Sequence, residues 1–290
     1  MELFVQSVIS GVLLGGLYAA IGVGLSLVFG IMGLTNIAHG SLMILASFFV
    51  MILSQGIMGS VIPALLATLV IMAIIGAVMQ GALINRVLDK GAEPALLVTF
   101  GFAIIIQNVL QLIFGADYKS IKNPLASVNV IDTKWAIVSG EYLVNFLVSV
   151  AVLLALHFLI RRTKLGRSIR AAASNVIAAE LMGVNTKRTY IYAMCIALIT
   201  GSVGGMLVGR TFGFYSYSGM SYLIIAFGVV VIGGMGSILG TLLGGVILGV
   251  SQLLGAYFFG PGVQVLVGYL TLLVILTLRP RGLLSNMTRK

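Results

Sequence analysis

The polar side chains that lie within long apolar stretches are the residues of this sequence best suited to chemistry. Asn36, His39 and Gly40 fall at an interruption between two apolar runs, and Gln107 and Asn108 lie in the middle of another. Hydrocarbon offers no hydrogen bonds, so polar groups in membrane-spanning segments must contact protein or line a path for water or solute. We interpret these five residues as candidates for a substrate pathway.

Each polar group also has a purely structural explanation. Asn36 and His39 would then satisfy backbone groups that become free where the chain turns. Gln107 and Asn108 would form hydrogen bonds between helices. For Asn36 and His39, both explanations predict burial in protein rather than contact with lipid, so the sequence leaves the choice open.

Several kinds of catalytic site are missing from the sequence. It contains no G-x-x-x-x-G-K-[ST] phosphate-binding loop, so that kind of ATP-hydrolysing site is absent. The single cysteine, Cys195, excludes an internal disulfide and a cysteine-rich metal site. No acidic residue falls deep within an apolar run, whereas cation-coupled secondary carriers usually place one there. We therefore predict a protein without a catalytic site, cofactor or metal.

The composition requires lipid as the solvent. Hydrophobic residues make up 60% of the 290 residues, charged residues make up 8%, and the mean hydropathy is +1.16. Soluble domains carry roughly 25% charged residues because a water-facing surface needs them. The net charge of +10 does not indicate nucleic-acid binding, since the basic residues are gathered in short segments between apolar runs.

The apolar runs predict an all-α fold, a polytopic transmembrane helix bundle that forms one domain over residues 1–290. Runs of about 17–25 residues can cross a bilayer as helices. The first run is too long for a cleaved signal peptide and is interpreted as a retained span. Glycines spaced four apart predict close helix packing. Eight spans are expected near residues 4–30, 37–54, 61–84, 94–115, 141–160, 189–209, 238–258 and 262–278, and a shorter, glycine-bounded run near 219–234 is either a further crossing or a broken, re-entrant helix.

Basic residues in the connections predict the orientation of the bundle. They are concentrated in the 85–93 connection, in the 161–188 loop and in the C-terminal tail, which holds Arg279, Arg281, Arg289 and Lys290. The positive-inside rule places these three regions in the cytoplasm. The 116–139 connection is nearly balanced in charge and is expected to face outward; its charged residues are Asp117, Lys119, Lys122, Asp132 and Lys134.

The 161–188 loop contains a predicted amphipathic helix. Its apolar stripe has helical spacing and consists of Ile169, Ala172, Ala173, Val176 and Ala179. Gly183 and Asn185 are expected to end the helix. Small side chains bury little area in lipid, so docking in a groove of a partner protein is favoured over a position on the membrane surface.

The loop also carries a family resemblance. The segment GRSIRAAASNVIAAELMGVN resembles the coupling loop of LivH-type permeases of the branched-chain amino acid ABC importer family. The opening GLYAAIGVGLSLVFGIMGLTNIAHGSL is similar to that family's N-terminal region, and its Asn-x-Ala-His-Gly is the most specific part. The stretches LLVTFGFAIIIQN, VVIGGMGSILGTLLGGVILG and RPRGLL follow in the family's order, so the resemblance covers nearly the whole chain.

The resemblance implies a permease subunit of the bacterial inner membrane that works by alternating access. Its expected partners are a second, related permease in a heterodimer, two cytoplasmic ATP-binding subunits, and a periplasmic or lipid-anchored substrate-binding protein. The loop helix would transmit closure of the ATP-binding subunits to the spans through Arg167, Arg170, Glu180, Met182 and Gly183.

The expected substrates are branched-chain or related hydrophobic amino acids. Permeases of this type also serve importers for urea, other amino acids and small amides, which remain alternatives. An ATP-independent channel or secondary carrier is the alternative from another functional class.

Overall fold

The computed structural model describes residues 2–123, 128–133 and 136–284. Lys134, Arg289 and Lys290, which the orientation prediction used, lie outside these ranges. Seven helices within the described residues are long and apolar enough to cross a membrane. Two further apolar helices, His39–Gln55 and Gly219–Gly233, are shorter. The predicted all-α polytopic bundle is therefore confirmed.

The helices follow the predicted spans in chain order. The elements are α1 (Glu2–Met32), α2 (His39–Gln55), α3 (Val61–Val78), a π-helical segment (Met79–Ile84), α4 (Asn85–Val87), a 3-10 turn (Leu88–Lys90), α5 (Ala92–Phe114), β1 (Asn129–Thr133), β2 (Ala136–Ser139), α6 (Gly140–Arg162), α7 (Lys164–Ser174), α8 (Val176–Leu181), α9 (Thr186–Thr211), α10 (Gly219–Gly233), α11 (Ile238–Phe259), a second 3-10 turn (Pro261–Val263) and α12 (Gln264–Leu278).

The bundle has two ends, which we call the hairpin end and the loop end. At the hairpin end, β1 and β2 pair in antiparallel register, a feature that the sequence analysis did not predict. Gln6 holds this hairpin against α1, because its amide donates to Ile137 O at 2.7 Å and accepts from Ile137 N at 2.7 Å. The N-terminal end of α1 therefore lies at the hairpin end.

The described parts of the three basic regions share the opposite, loop end. Asp89 of the 85–93 connection and Lys187 of the 161–188 loop form an ion pair at 3.0 Å. The chain after α12 returns to the end of α10, where Leu283 N donates to Ile232 O at 3.0 Å. The grouping expected from the charge pattern is thus present in the fold.

α1 is the central helix of the bundle and packs closely on α11. Gly11 faces the α11 backbone, and a Cβ built at Gly11 would lie 2.6 Å from Val250 Cα. Helices in lipid approach closely where small residues repeat at four-residue spacing, because hydrophobicity does not drive them together there. Gly15, Gly245 and Gly249 continue the same contact.

Two glycines with positive φ interrupt the bundle in the same way. Gly33 (φ 65°) follows α1 and Gly213 (φ 64°) follows α9. Each stands six positions before the first residue of the next helix, His39 or Gly219. This backbone conformation favours glycine, because a Cβ would crowd the following carbonyl. In both places the chain turns back into the bundle before it becomes helical again.

α2 and α10 consequently begin inside the bundle and run in opposite directions. α2 begins beside the middle of α1, where the His39 ring meets Ile21, and it ends near the hairpin end, where Gln55 contacts Ser120. α10 runs to the loop end. Both a crossing and a re-entrant helix were open for the 219–234 run. The chain before it turns inward from the hairpin end, and α10 then continues from the bundle centre to the loop end.

The amphipathic segment of the loop forms two helices rather than one. Asn175 breaks the segment in an extended conformation (φ −157°, ψ 113°), and its side chain accepts a hydrogen bond from Ala178 N at 3.0 Å to cap α8. Asn favours such N-cap positions over helix interiors because its side chain competes for backbone donors. Gly183, with φ 82°, follows the end of α8 as expected.

Candidate functional site

His39, the first residue of α2, is wedged between α1 and α9. It is buried, and its Nε2 lies 3.1 Å from the Ile21 carbonyl oxygen. A carbonyl can only accept, so Nε2 carries a proton and donates. The ring fits because Gly24 of α1 and Gly201 of α9 have no side chains there. Within the described residues, the second ring nitrogen, Nδ1, is buried without a hydrogen-bond partner.

Asn36 shapes the turn that precedes α2. Its Oδ1 accepts from Ala38 N at 3.1 Å, and its backbone carbonyl accepts from His39 N at 3.1 Å. Its Nδ2 contacts Met194 Sδ of α9 at 3.6 Å. Asn36 therefore satisfies backbone groups at the turn while also facing the α9 side of the interior.

Gly40 lies where the N-terminal ends of α2 and α10 meet. Its Cα packs against the Gly219 backbone, and a Cβ at Gly40 would lie 2.9 Å from Gly219 C. From the other side, a Cβ at Gly219 would lie 2.8 Å from Ser41 N. The contact is between backbones, so it leaves no space for a side chain or a solute between the two helices.

Two cavities lie on the loop side of this junction. The smaller has about 10 Å³, enough for one water molecule, and is lined by Asn36, Thr99 and Met194 among others. The larger, which we call the loop-end cavity, has about 360 Å³ and lies between the end of α1, the 88–92 connection and residues 176–190. Met32 and Leu34 belong to the walls of both cavities.

The other two candidate pathway residues lie apart from this cluster. Gln107 is half-buried, and Asn108 is exposed on α5 with its Nδ2 bonded to Ile104 O of the same helix at 2.8 Å. The polar residue that α5 does bring to the α2 turn is Thr99, whose hydroxyl accepts from Ile37 N at 3.3 Å. Thr99 was not among the predicted site residues, although a hydroxyl within an apolar run was a signal for it.

The candidate coupling residues divide into two groups. Arg170 donates to Ile160 O at the end of α6, and the Thr186 hydroxyl donates to Glu180, so these two charged residues tie the loop to neighbouring backbone and side chains. Arg167 is exposed, and Met182 is 84% exposed just before Gly183. The loop thus has an anchored face and a free face.

A buried pair of amides joins α3 to this loop, and the sequence analysis missed it. Gln80 lies in the π-helical segment and donates from Nε2 to Asn85 Oδ1 at 2.9 Å. Asn85 donates in turn to the Lys187 carbonyl at 3.2 Å. Single π-helical turns within α-helices frequently mark functional sites. Glutamine and asparagine near the end of an apolar run were the available signal.

Arg210, at the hairpin end, lies beside a second polar cluster. Its Nη2 donates to Asn123 Oδ1 at 2.6 Å. Glu141, in the first turn of α6, is buried nearby, and Asn145 donates to the Thr211 hydroxyl at 2.7 Å. These contacts fasten the 116–123 chain and α6 to the end of α9.

Comparisons with known proteins agree with this architecture. Residues 7–276 match the family described as branched-chain amino acid transport system, permease component. The high-affinity branched-chain amino acid permease protein LivH of Salmonella typhimurium is 32% identical, over 98% of this chain and 96% of its own length. BraD of Pseudomonas aeruginosa is 30% identical over the same shares. A probable LivH of Methanocaldococcus jannaschii is 24% identical over 94% of this chain and 90% of its own.

The similarity extends over nearly the whole chain, including the α2 turn, the loop and the last span. Permease components of this kind are transport subunits, and the ATPase activity resides on separate subunits. The chain therefore belongs to the family of branched-chain amino acid transport system permease components, and it is a membrane permease subunit of an ABC importer.

Proposed function

We propose that this subunit moves branched-chain amino acids across the inner membrane by alternating access, as half of a pathway completed by a second, related permease. Two ATP-binding subunits would bind at the loop end, in the cytoplasm, and a substrate-binding protein would bind at the hairpin end. The gathering of the 85–93, 161–188 and C-terminal basic regions at one end supports this orientation, because positive charge is retained on the cytoplasmic side.

The exposed ridge of α8 is the observation that carries the proposal. Ile177, Leu181 and Met182 are 73%, 83% and 84% exposed. Large apolar side chains grouped on a short helix outside the spans mark a surface for another protein. We assign this ridge to the ATP-binding subunit, with Arg167 available at the exposed surface of α7.

The other coupling residues would position the ridge. Arg170 and Glu180 hold the loop on α6 and α9, so a displacement of α8 would be passed to those spans. Gly183 makes the sharp turn between α8 and the start of α9. The connection from docking ridge to membrane is therefore short and mostly helical.

The pathway would pass the Gly40–Gly219 junction. Asn36 and His39 are the polar groups beside it, and the cavities lie on its loop side, which supports a state closed toward the hairpin end. Gln107 is half-buried and Asn108 is exposed on α5, so Asn108 would line the pathway only where a second permease covers α5. This placement supports a two-subunit pathway.

Co-purification of the ATP-binding subunit tests the docking assignment. Met182→Asp places a charge on the ridge and is expected to reduce the recovered ATP-binding subunit strongly, while Met182→Leu, the matched control, retains it. Equal recovery with Met182→Asp and with the unmodified chain would contradict the assignment.

A further inference from the structure

The loop-end cavity lies behind the docking helix. Val176 and Glu180 are four residues apart on α8 and line the cavity. Val176 is 40% exposed, whereas Ile177 and Leu181, on the adjacent face, are 73% and 83% exposed. A partner seated on the exposed ridge therefore leaves the cavity between α8 and the spans. The docking surface and the cavity wall are adjacent faces of one short helix.

The size and apolar wall of the cavity suit a small ligand. Its volume of about 360 Å³ falls in the usual range of ligand pockets, about 300–1,000 Å³. Met32, Leu34 and Leu88 form an apolar wall, and Val176 extends it across α8. Apolar walls with a few polar groups are typical of binding sites for small molecules.

The polar groups of the cavity carry both signs of charge. Lys187 and Asp89 are paired at 3.0 Å, and both side chains are mostly exposed, so they can exchange this pair for a ligand at little cost. The Glu180 carboxylate accepts one hydrogen bond, from the Thr186 hydroxyl. A zwitterion matches this set, because its carboxylate suits the Lys187 ammonium and its ammonium suits the two carboxylates.

The walls of the cavity belong to three separate segments of the chain. Gly33 (φ 65°) and Gly91 (φ 112°) border it, and neither has a neighbour that would meet a Cβ within 4 Å. The remaining wall is α8 and the start of α9. A ligand that touches all three walls would favour the arrangement in which they are close, since a ligand stabilises the state it binds best.

We propose that the loop-end cavity binds a free amino acid with an apolar side chain, and that the bound amino acid slows transport by holding α8 against the ends of α1 and α5. The site would respond to the concentration of transported amino acid at the loop end. This inference rests on the proposed function, because it assigns the loop to coupling and the ligand to the cytoplasmic side.

Uptake by the complete transporter in proteoliposomes tests the site. With ATP inside and the binding protein with labelled leucine outside, millimolar unlabelled leucine in the lumen is expected to slow initial uptake about fivefold or more. Lumenal 4-methylpentanoate, which lacks the ammonium, and 3-methylbutylamine, which lacks the carboxylate, are expected to have no such effect. Equal inhibition by either single-charge analogue would overturn the zwitterion assignment.

Two substitutions separate this cavity from other sources of inhibition. Lys187→Met removes the cation for the ligand carboxylate while the Lys187 carbonyl still receives Asn85, so lumenal leucine is expected to lose its effect relative to that variant's own uninhibited rate. Arg188→Met, the adjacent exposed residue outside the cavity, is the matched control and is expected to remain inhibited. Inhibition that persists in Lys187→Met would refute the cavity as the site.

The outcome for the cavity is distinct from the outcome for the proposed function. Uptake that proceeds with ATP but ignores lumenal leucine would refute the cavity site alone. Absence of ATP-dependent uptake would refute the proposed function, and the cavity would then be tested by thermal shift of the solubilised chain. Leucine is expected to raise the melting temperature of the unmodified chain and not that of Lys187→Met; no shift in either would refute the site.

Discussion

Gly40 and Gly219 meet backbone to backbone at the centre of the bundle, where one helix leaves for each end. Both residues are the first or second of their helices, so the partial positive charges of two helix N-termini face one region. Neither helix has a side-chain N-cap, because Asn36 and Ser218 accept hydrogen bonds from the preceding chain, from Ala38 N and Tyr215 N. The contact therefore joins the helix that runs to the hairpin end to the helix that runs to the loop end.

Gly40→Ala tests this contact. The added Cβ would meet the Gly219 backbone, which cannot move aside as a flexible side chain can. We expect a loss of stability of about 1–3 kcal/mol from overpacking and a marked fall in uptake, measured by thermal unfolding and by leucine transport. Gly101→Ala is the control, since nothing lies within 4 Å of its Cβ. Equal melting temperatures for Gly40→Ala and Gly101→Ala would contradict the close contact.

Gly183 provides a test of the coupling loop that involves backbone conformation alone. A Cβ there would meet no atom within 4 Å, but φ is 82°. Gly183→Ala is therefore expected to cost about 1–2 kcal/mol in this turn and to abolish most uptake while membrane insertion is unchanged. Gly183→Asn is the matched variant, because Asn tolerates this conformation better, and should retain more uptake. The reverse order of the two variants would rule out a backbone effect.

The Gln80–Asn85 pair is expected to stabilise the joint between α3 and the loop. Asn85→Leu removes the partner of Gln80 and the donor to the Lys187 carbonyl, and leaving buried polar groups unpaired costs about 1–3 kcal/mol. A double-mutant cycle with Gln80→Leu, measured by thermal unfolding, should give a coupling of about 0.5–3 kcal/mol. Additive effects of the two substitutions would show that the pair does not act as a unit.

The same variant should separate ATP hydrolysis from transport. Asn85 bonds the backbone at the start of α9, so its loss would loosen α9 from α3 without touching the exposed ridge of α8. In the assembled transporter, Asn85→Leu is expected to retain ATP hydrolysis while leucine uptake falls. Proportional loss of both activities would place Asn85 outside the coupling connection.

Hydropathy predicted the order of the apolar helices because apolar length is recorded directly in the sequence. Eight full-length spans were expected, and the described residues hold seven, because α2 in the 37–54 run is shorter. Hydropathy did not predict how deep in the bundle each helix begins. The runs that contain α2 and α10 resemble the others in composition, yet Gly33 and Gly213 turn the chain inward and both helices start at the bundle centre. Where a helix starts along the membrane normal depends on which neighbours accept it, such as Gly24 and Gly201 around His39.

Only the part of the candidate site that is local in sequence was predictable. Asn36, His39 and Gly40 come together because they are adjacent in sequence, whereas Thr99, Gln80 and Asn85 join them or the loop only through tertiary packing. The break at Asn175 was missed because the surrounding alanines favour a continuous helix, and a single side-chain cap outweighed them. Tertiary partners, rather than residue type, decided these positions.

ATP-dependent uptake by the reconstituted transporter is the most direct test of the central claim. The chain would be assembled in proteoliposomes with its second permease and ATP-binding subunits, with ATP inside and labelled leucine and the binding protein outside. The proposed function predicts leucine accumulation that requires ATP and disappears when the ATP-binding subunits are omitted. Leucine uptake at the same rate without those subunits would contradict it and identify an independent carrier.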